Sequence, residues 1–121
     1  MHHKPTLVIG VSRNPYRYAN MAVKALKAHG HPVYAIGREA FVYDGVPVQT
    51  QWEGIPQVHT ITLYIRPELQ QSYYSKILSA GAQRIIFNPG TWNDELAALA
   101  AQAGMETEDA CTLVMLSSGQ F

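Results

Sequence analysis

The sequence contains little cysteine, little charge and no long apolar run. Its 121 residues include one cysteine, Cys111, which excludes an internal disulfide and favours a reducing, cytoplasmic compartment. No stretch approaches the ~20 apolar residues of a membrane-spanning helix, and residues 1–5 lead directly into a predicted strand rather than a signal peptide. Charged residues make up 15% of the chain. Average domains have about 25%, so the composition is typical of a sheet buried on both faces.

Acidic residues are absent from the first third of the chain. No Asp or Glu precedes Glu39, although the formal net charge of the whole chain is zero. The same stretch carries six cations, which are Lys4, Arg13, Arg17, Lys24, Lys27 and Arg38. Lys24 and Lys27 have the spacing of a solvated helix face, whereas the arginines fall in predicted loops. This asymmetry predicts an anionic partner near the N-terminal part of the chain.

Apolar runs and glycines divide the chain into alternating strands and helices. Four buried strands are predicted, at residues 6–11, 32–37, 58–65 and 84–87. Helices are predicted at residues 20–29, from Pro67 to Gly81, and at residues 94–103 behind an Asn93 cap. One or two short strands are also expected around Thr107 and residues 112–116. The pattern predicts a single α/β domain over residues 1–121, with three layers and a mostly parallel five-stranded sheet flanked by helices.

Arginines follow the predicted strands at the points where those strands end. Ligands of parallel α/β sheets bind outside the carboxyl ends of the strands. Arg13 and Arg17 follow the first strand, Arg38 the second and Arg66 the third, which accounts for four of the five arginines. A guanidinium matches phosphate oxygens, and the first loop opens a helix whose free amides attract anions. Exposed loops favour arginine in any case, but four on one predicted edge indicate an anion site.

The first loop lacks a common dinucleotide-binding fingerprint. Gly10-Val11-Ser12 is not followed by the second and third glycines of that motif, and the segment is not a Walker loop. In NAD-binding proteins an acid after the second strand holds the ribose hydroxyls, whereas this chain has Gly37-Arg38 there. An arginine at that position suits a phosphorylated ribose, which occurs in both coenzyme A (CoA) and NADP.

Short motifs at the strand ends match those of a known family. They are Gly-Val-Ser-Arg-Asn-Pro at residues 10–15, Asp-Gly-Val-Pro-Val at 44–48, Ile-Arg-Pro-Glu at 65–68, Phe-Asn-Pro-Gly at 87–90, the helix start at 93–95, and Cys111. With these motifs the chain resembles the small bacterial CoA-binding proteins, which are similar to the N-terminal domain of the succinyl-CoA synthetase α subunit. The resemblance covers residues 6–112 and implies a Rossmann-like fold with CoA as its ligand.

The resemblance also implies which residues contact CoA. Residues 10–17 would line the diphosphate, Arg38 would face the adenosine end, and residues 66–67 and 88–90 would border the pantetheine path. Tyr16 or Tyr18 is a candidate for stacking on adenine, and packing of the loop onto its helix is the alternative. The full set of expected CoA-binding residues is Gly10, Val11, Ser12, Arg13, Asn14, Pro15, Arg17, Tyr18, Gly37, Arg38, Arg66, Pro67, Asn88, Pro89 and Gly90.

No group of residues indicates catalysis or metal binding. The histidines are terminal (His2, His3), flank a predicted helix end (His29, His31) or lie in a strand (His59). Cys111 lies far along the chain from any histidine, so a buried, inert thiol is expected. The synthetases that this domain resembles carry their catalytic histidine in a separate domain. We therefore expect CoA or acyl-CoA binding with no catalytic residue and no metal ligand.

Two other functions stay open at this point. An NADP-binding, oxidoreductase-like domain fits Arg38 but lacks an acid or base at the site. A protein-interaction module that has lost its nucleotide is favoured by the Arg38-Glu39 pair, because family members often have Asn-Pro there. The expected partner is a small-molecule nucleotide rather than nucleic acid or a membrane. A homodimer through an edge strand or a helix is also compatible with such a domain.

Overall fold

The structure, a computed structural model, describes residues 3–121, so His2 of the terminal histidine pair lies outside the described residues. The strands are β1 Thr6–Ile9, β2 Val33–Ile36, β3 Phe41–Tyr43, β4 Val46–Gln49, β5 Thr60–Leu63, β6 Arg84–Phe87 and β7 Glu106–Asp109. The helices are α1 Tyr18–Ala28, α2 Pro67–Gln70, α3 Tyr74–Ser79, α4 Asp94–Gln102 and α5 Thr112–Ser117, and a 3₁₀ turn, Gln71–Tyr73, joins α2 to α3.

All seven strands form one sheet in the order β3-β4-β2-β1-β5-β6-β7. Every neighbouring pair is parallel except β3 and β4. If only the six parallel strands are numbered along the chain, the sheet runs 3-2-1-4-5-6, which is the order of doubly wound nucleotide-binding folds. The order reverses between β1 and β5. A crevice is therefore expected at the carboxyl ends of these two strands.

The sheet has two more strands than the five that the sequence predicted. Asp44 and Gly45 both have positive φ, 51° and 78°, which is the conformation of a two-residue hairpin turn. The turn joins β3 to β4, with Phe41 opposite Val48. The three-layer, mostly parallel architecture is confirmed. These two strands were not predicted because they form a hairpin at one side of the sheet, in which alternate residues are exposed and each apolar run is short.

Two predicted elements differ from the structure. Residues 112–116 form a helix rather than a strand, because the buried residues Thr112, Met115 and Leu116 have helical spacing and α5 packs against α1. The helix that begins at Pro67 is interrupted by the 3₁₀ turn. Just before that turn, the buried Gln70 side chain donates to backbone carbonyls outside the helix. Such side-chain bonds favour a local break in a helix.

The central strands are buried on both faces, as their apolar sequences predict. All residues of β1, β5 and β6 are buried. Leu7, Ile61 and Phe87 belong to a core that includes residues of α3 and α4, whereas Val8 and Ala35 pack with α1 and α5 on the other face. Within the described residues, no helix has the length and apolarity that crossing a membrane requires.

The fifth arginine, Arg84, lies at the amino end of the sheet, away from the other four. It begins β6 and is 5% exposed. Its Nε donates to Thr60 Oγ1 (3.0 Å) and its Nη1 donates to the backbone oxygen of Phe121 (3.1 Å), whose ring centroid lies 4.5 Å from the guanidinium carbon. Arg84 therefore holds the last described residues against the sheet.

Candidate functional site

A cleft of about 720 Å³ opens where the strand order reverses, at the carboxyl ends of β1 and β5. Its walls come from the loop after β1, the residues after β2, the start of β3 and the segment Tyr64–Tyr73. Arg13, Arg17, Arg38 and Arg66 all line it. The four arginines that the sequence places at strand ends therefore share one cavity, whose volume lies within the ~300–1,000 Å³ of small-molecule sites.

Two glycines allow backbone segments to approach each other closely at the base of the cleft. A Cβ on Gly37 would lie 2.1 Å from the carbonyl oxygen of Val11, and a Cβ on Gly10 would lie 3.2 Å from backbone atoms of Tyr64. Gly10 also has a φ of 113°, which residues with side chains rarely adopt. Its N–H donates to the Ile36 carbonyl at 2.9 Å. The loop after β1 is thus seated directly on the ends of the neighbouring strands.

Asn20, which is fully buried in the first turn of α1, fixes the shape of this loop. Its side-chain oxygen accepts the Ser12 N–H (3.2 Å), and its side-chain nitrogen donates to the Ser12 carbonyl (2.7 Å). Farther along the loop, Ser12 Oγ accepts the Asn14 N–H and Asn14 Oδ1 accepts the Tyr16 N–H. The role of Asn20 is not predicted from the sequence, although a polar residue next to the apolar positions of a helix is a signal for such a role.

The N-terminus of α1 lies behind the loop, and within residues 3–121 no side chain caps its free amides. Arg17 precedes the helix without a side-chain capping bond, and the first turn contains no acid. The start of α4 provides a contrast, since Asn93 accepts the Leu96 N–H as predicted and two acids follow. Uncapped N–H groups and the positive end of the helix dipole attract an anion, so the start of α1 suits a phosphate.

The four arginines of the cleft differ in their ion pairs. Arg13 Nε lies 2.5 Å from Glu39 Oε2, and Arg66 Nε lies 3.4 Å from Glu68 Oε2. Arg17 and Arg38 form no ion pair with any residue in the described part of the chain. These two are therefore the cations most available to an incoming anion.

Several residues of the predicted set do not line the cleft. They are Asn14, Pro15, Tyr18, Pro67, Asn88, Pro89 and Gly90. Asn14 still shapes the loop through its turn bonds, and Pro67 begins α2. Tyr16 and Tyr18 are 86% and 68% exposed, so neither packs the loop onto the helix.

Asn88 holds a buried polar network beyond the end of β6. Its Nδ2 donates to Thr62 Oγ1 (2.6 Å) and to the Leu63 carbonyl (2.7 Å), while its Oδ1 accepts the Thr112 N–H (2.9 Å). Asn88 is 1% exposed, and the two threonine hydroxyls also bond each other at 2.8 Å. All these bonds are internal, so Asn88 ties the start of α5 to the sheet.

The apolar part of the cleft is not predicted from the sequence. Phe41, Ile65, Leu69 and Tyr73 line it together with Tyr64. Leu69 and Tyr73 belong to the segment from Pro67 to Gly81, for which one continuous helix is predicted, and the structure places both at the cavity wall. Burial of the Tyr64 hydroxyl raises its pKa to about 12, with the nearby Thr112 and Thr62 hydroxyls opposing the shift. Tyr64 is therefore neutral at physiological pH.

Other reactive groups lie outside the cleft or form no cluster. Cys111 is half-buried, rather than fully buried as expected, and does not line the cleft. Residues 3–121 contain no group of three His, Cys, Asp or Glu side chains placed to hold a metal ion. A second cavity of about 250 Å³ lies between residues 52–58 and α3 and carries Lys76 on its wall.

The fold and the position of the cleft define an α/β domain of the doubly wound class. A comparison with protein families assigns the sequence more narrowly. The chain belongs to the CoA binding domain family, whose pattern matches residues 4–117. This match confirms the resemblance seen in the strand-end motifs. No curated protein sequence matches the chain.

Solved structures with the same fold include one at substantial sequence identity. The crystal structure of an uncharacterized protein is 42% identical, with a TM-score of 0.95 and complete coverage of both chains. A protein from Thermus thermophilus is 16% identical over 98% of this chain and 91% of its own, with a TM-score of 0.86. An acetyl-coenzyme A synthetase from Ca. Korarchaeum cryptofilum, in complex with phosphate and ADP, is 18% identical with a TM-score of 0.74. This chain covers 25% of that synthetase and aligns over 88% of its own length.

Proposed function

We propose that the chain binds CoA or an acyl-CoA in the cleft between β1 and β5 and performs no catalysis of its own. The observation that carries the proposal is the convergence of four arginines and the uncapped start of α1 on a cleft at the switch point of the sheet. Membership of the CoA binding domain family supports CoA as the anion. A cytoplasmic single-domain protein with a small-molecule partner fits this function.

The residues of the cleft fit the chemical parts of CoA. Gly10 and Gly37 keep the base of the cleft free of side chains, and the uncapped amides at the start of α1 suit the diphosphate. Within residues 3–121 no carboxylate pairs with Arg17 or Arg38, so we assign these two to phosphate oxygens, with Arg38 at the 3′-phosphate of the adenosine. The apolar wall of residues 64–73 suits the pantetheine arm.

The absence of catalysis is inferred from the titratable groups around the cleft. A general acid or base works best when its pKa lies near the operating pH. The lining residues with ionisable side chains are arginines, Glu39 in its ion pair, Tyr64 with a pKa of about 12, and Tyr73. None is a histidine or a cysteine, and the carboxylate of Glu39 is engaged by Arg13, so we assign no general acid or base to the cleft.

Thermal unfolding with added nucleotides tests the proposal. At a CoA concentration about a hundredfold above its dissociation constant, we expect stabilisation by about 2.7 kcal/mol, because the ligand binds only the folded state. Arg17→Ala and Arg38→Ala should each weaken the binding of CoA at least about tenfold, since each removes a charged donor to phosphate. Arg38→Ala should also lose the preference for CoA over dephospho-CoA. Lys24→Ala, which removes a cation of α1 outside the cleft, is the matched control.

The same experiment separates the competing functions. If NADP stabilises the fold more than CoA does, the cleft belongs to an oxidoreductase-like domain. If neither nucleotide shifts the transition at millimolar concentration, the CoA proposal is wrong and the fold serves as a protein-interaction module.

A further inference from the structure

One side of the cleft carries a cation held over an aromatic ring. The guanidinium carbon of Arg13 lies 4.6 Å from the ring centroid of Phe41, the first residue of β3. Glu39 lies in the segment between β2 and β3, and its Oε2 accepts a hydrogen bond from Arg13 Nε at 2.5 Å. All three residues line the cleft. The loop after β1 is thereby joined to the edge hairpin through one side chain.

The Arg13 side chain is nevertheless accessible. Its exposed fraction is 63%, and that of Glu39 is 62%, so neither Phe41 nor Glu39 covers the guanidinium. A guanidinium with one side against an aromatic ring offers its other side to a further flat group. Purine bases stack on arginine planes and on aromatic rings in this way. The orientation of Arg13 depends on Glu39, because a free arginine side chain would sample many rotamers.

We propose that Glu39 is a positioning residue that holds Arg13 over Phe41, and that Arg13 and Phe41 form the stacking platform for the adenine of the ligand. This inference rests on the proposed CoA function. It gives the acid after the second strand a different role from that in NAD-binding folds, where such an acid accepts hydrogen bonds from the ribose. Here the carboxylate is committed to Arg13.

A simpler role for Glu39 predicts a change in ligand affinity of the opposite sign in Glu39→Gln. If Glu39 only competes with the ligand for Arg13, its removal frees a cation, and Glu39→Gln should bind every phosphorylated ligand more tightly. If Glu39 positions Arg13, Glu39→Gln should weaken ligands that contain adenine relative to those that do not. The ratio of two dissociation constants therefore distinguishes the two roles by its sign, because loss of a negative charge favours the ligand with more phosphates, whereas loss of positioning disfavours the ligand with the base.

The two halves of CoA are the probes for this ratio. Adenosine 3′,5′-bisphosphate carries the base, and 4′-phosphopantetheine lacks it. We expect Arg13→Lys and Phe41→Leu to weaken the binding of adenosine 3′,5′-bisphosphate about tenfold. Glu39→Gln should weaken the binding of this ligand severalfold relative to that of 4′-phosphopantetheine. The binding of 4′-phosphopantetheine should change less than about twofold in Arg13→Lys and Phe41→Leu, because lysine keeps the charge and Phe41 carries none.

Tyr43→Leu is the matched control for Phe41→Leu. Tyr43 is also on β3, packs against the same core and has a cation, Lys24, 5.9 Å from its ring centroid, but it does not line the cleft. Tyr43→Leu should leave the affinity for both half-ligands unchanged. If Arg13→Lys and Phe41→Leu lose equal affinity for both half-ligands, or lose none, the stacking platform is wrong. Binding of CoA by the wild type would still support the proposed function. If the wild type binds neither CoA nor its halves, the proposed function fails and the platform falls with it.

Discussion

Gly37→Ala should destabilise the fold by about 3 kcal/mol, at the upper end of what overpacking a well-packed region costs. A Cβ at this position would lie 2.1 Å from the carbonyl oxygen of Val11 and 3.1 Å from Val48 Cγ1. The first neighbour is backbone, so relief requires the loop after β1 to move away from the end of β2. The same movement would displace Arg13 and open the base of the cleft, so CoA binding should fall as well.

Chemical denaturation measures this effect, and Gly104→Ala is its control. Gly104 has a φ of 84°, but a Cβ there would meet no atom within 4 Å. Gly104→Ala should destabilise the fold by about 1 kcal/mol, because its only effect is to place an alanine in a left-handed backbone conformation. If Gly37→Ala costs no more than Gly104→Ala, the close seating of the loop on β2 is wrong.

Asn88→Asp should destabilise the fold by about 4 kcal/mol, although the two side chains have nearly the same shape. Asn88 donates two hydrogen bonds through Nδ2, to Thr62 Oγ1 and to the Leu63 carbonyl. An aspartate would set a buried carboxylate oxygen against that carbonyl and lose both donors. The acceptor for the Thr112 N–H would survive. The cost should be smaller near pH 4 than at pH 7, because a protonated carboxyl regains one donor.

An exposed asparagine supplies the comparison. Asn14 uses only its side-chain oxygen as an acceptor, for the Tyr16 N–H, so Asn14→Asp should change stability by less than about 0.5 kcal/mol. If Asn88→Asp is equally mild at neutral pH, Asn88 is not the centre of a buried network. Its predicted role at the edge of the ligand site would then regain support.

The strand ends could be predicted from the sequence because each apolar run stops near a glycine, an arginine or an asparagine. That pattern placed Arg13, Arg17, Arg38 and Arg66 on one edge, and the structure gathers them around one cleft. It placed Asn88 on the same edge for the same reason. A residue that follows a strand can instead turn inward, and no local pattern separates the two cases.

Other features depend on contacts between distant segments. Glu39 pairs with Arg13, which is 26 residues earlier in the chain, and nothing in either local sequence indicates this pair. The 112–116 segment has residues that suit a strand or a helix equally well, and its packing on α1 decides for a helix. The break between α2 and α3 coincides with Gln70 bonds to Ile65 and Thr91, the second of which comes from another segment.

A titration of the isotope-labelled wild type with CoA, followed by backbone amide NMR, tests whether the cleft is a CoA site. We expect the largest amide shifts at residues 10–17 and 37–39 and smaller shifts at residues 64–73. Amides around the second cavity, at residues 52–58 and Lys76, should stay unchanged. Spectra without any change at millimolar CoA, or changes confined to that second cavity, would contradict the assignment of the cleft as a CoA site.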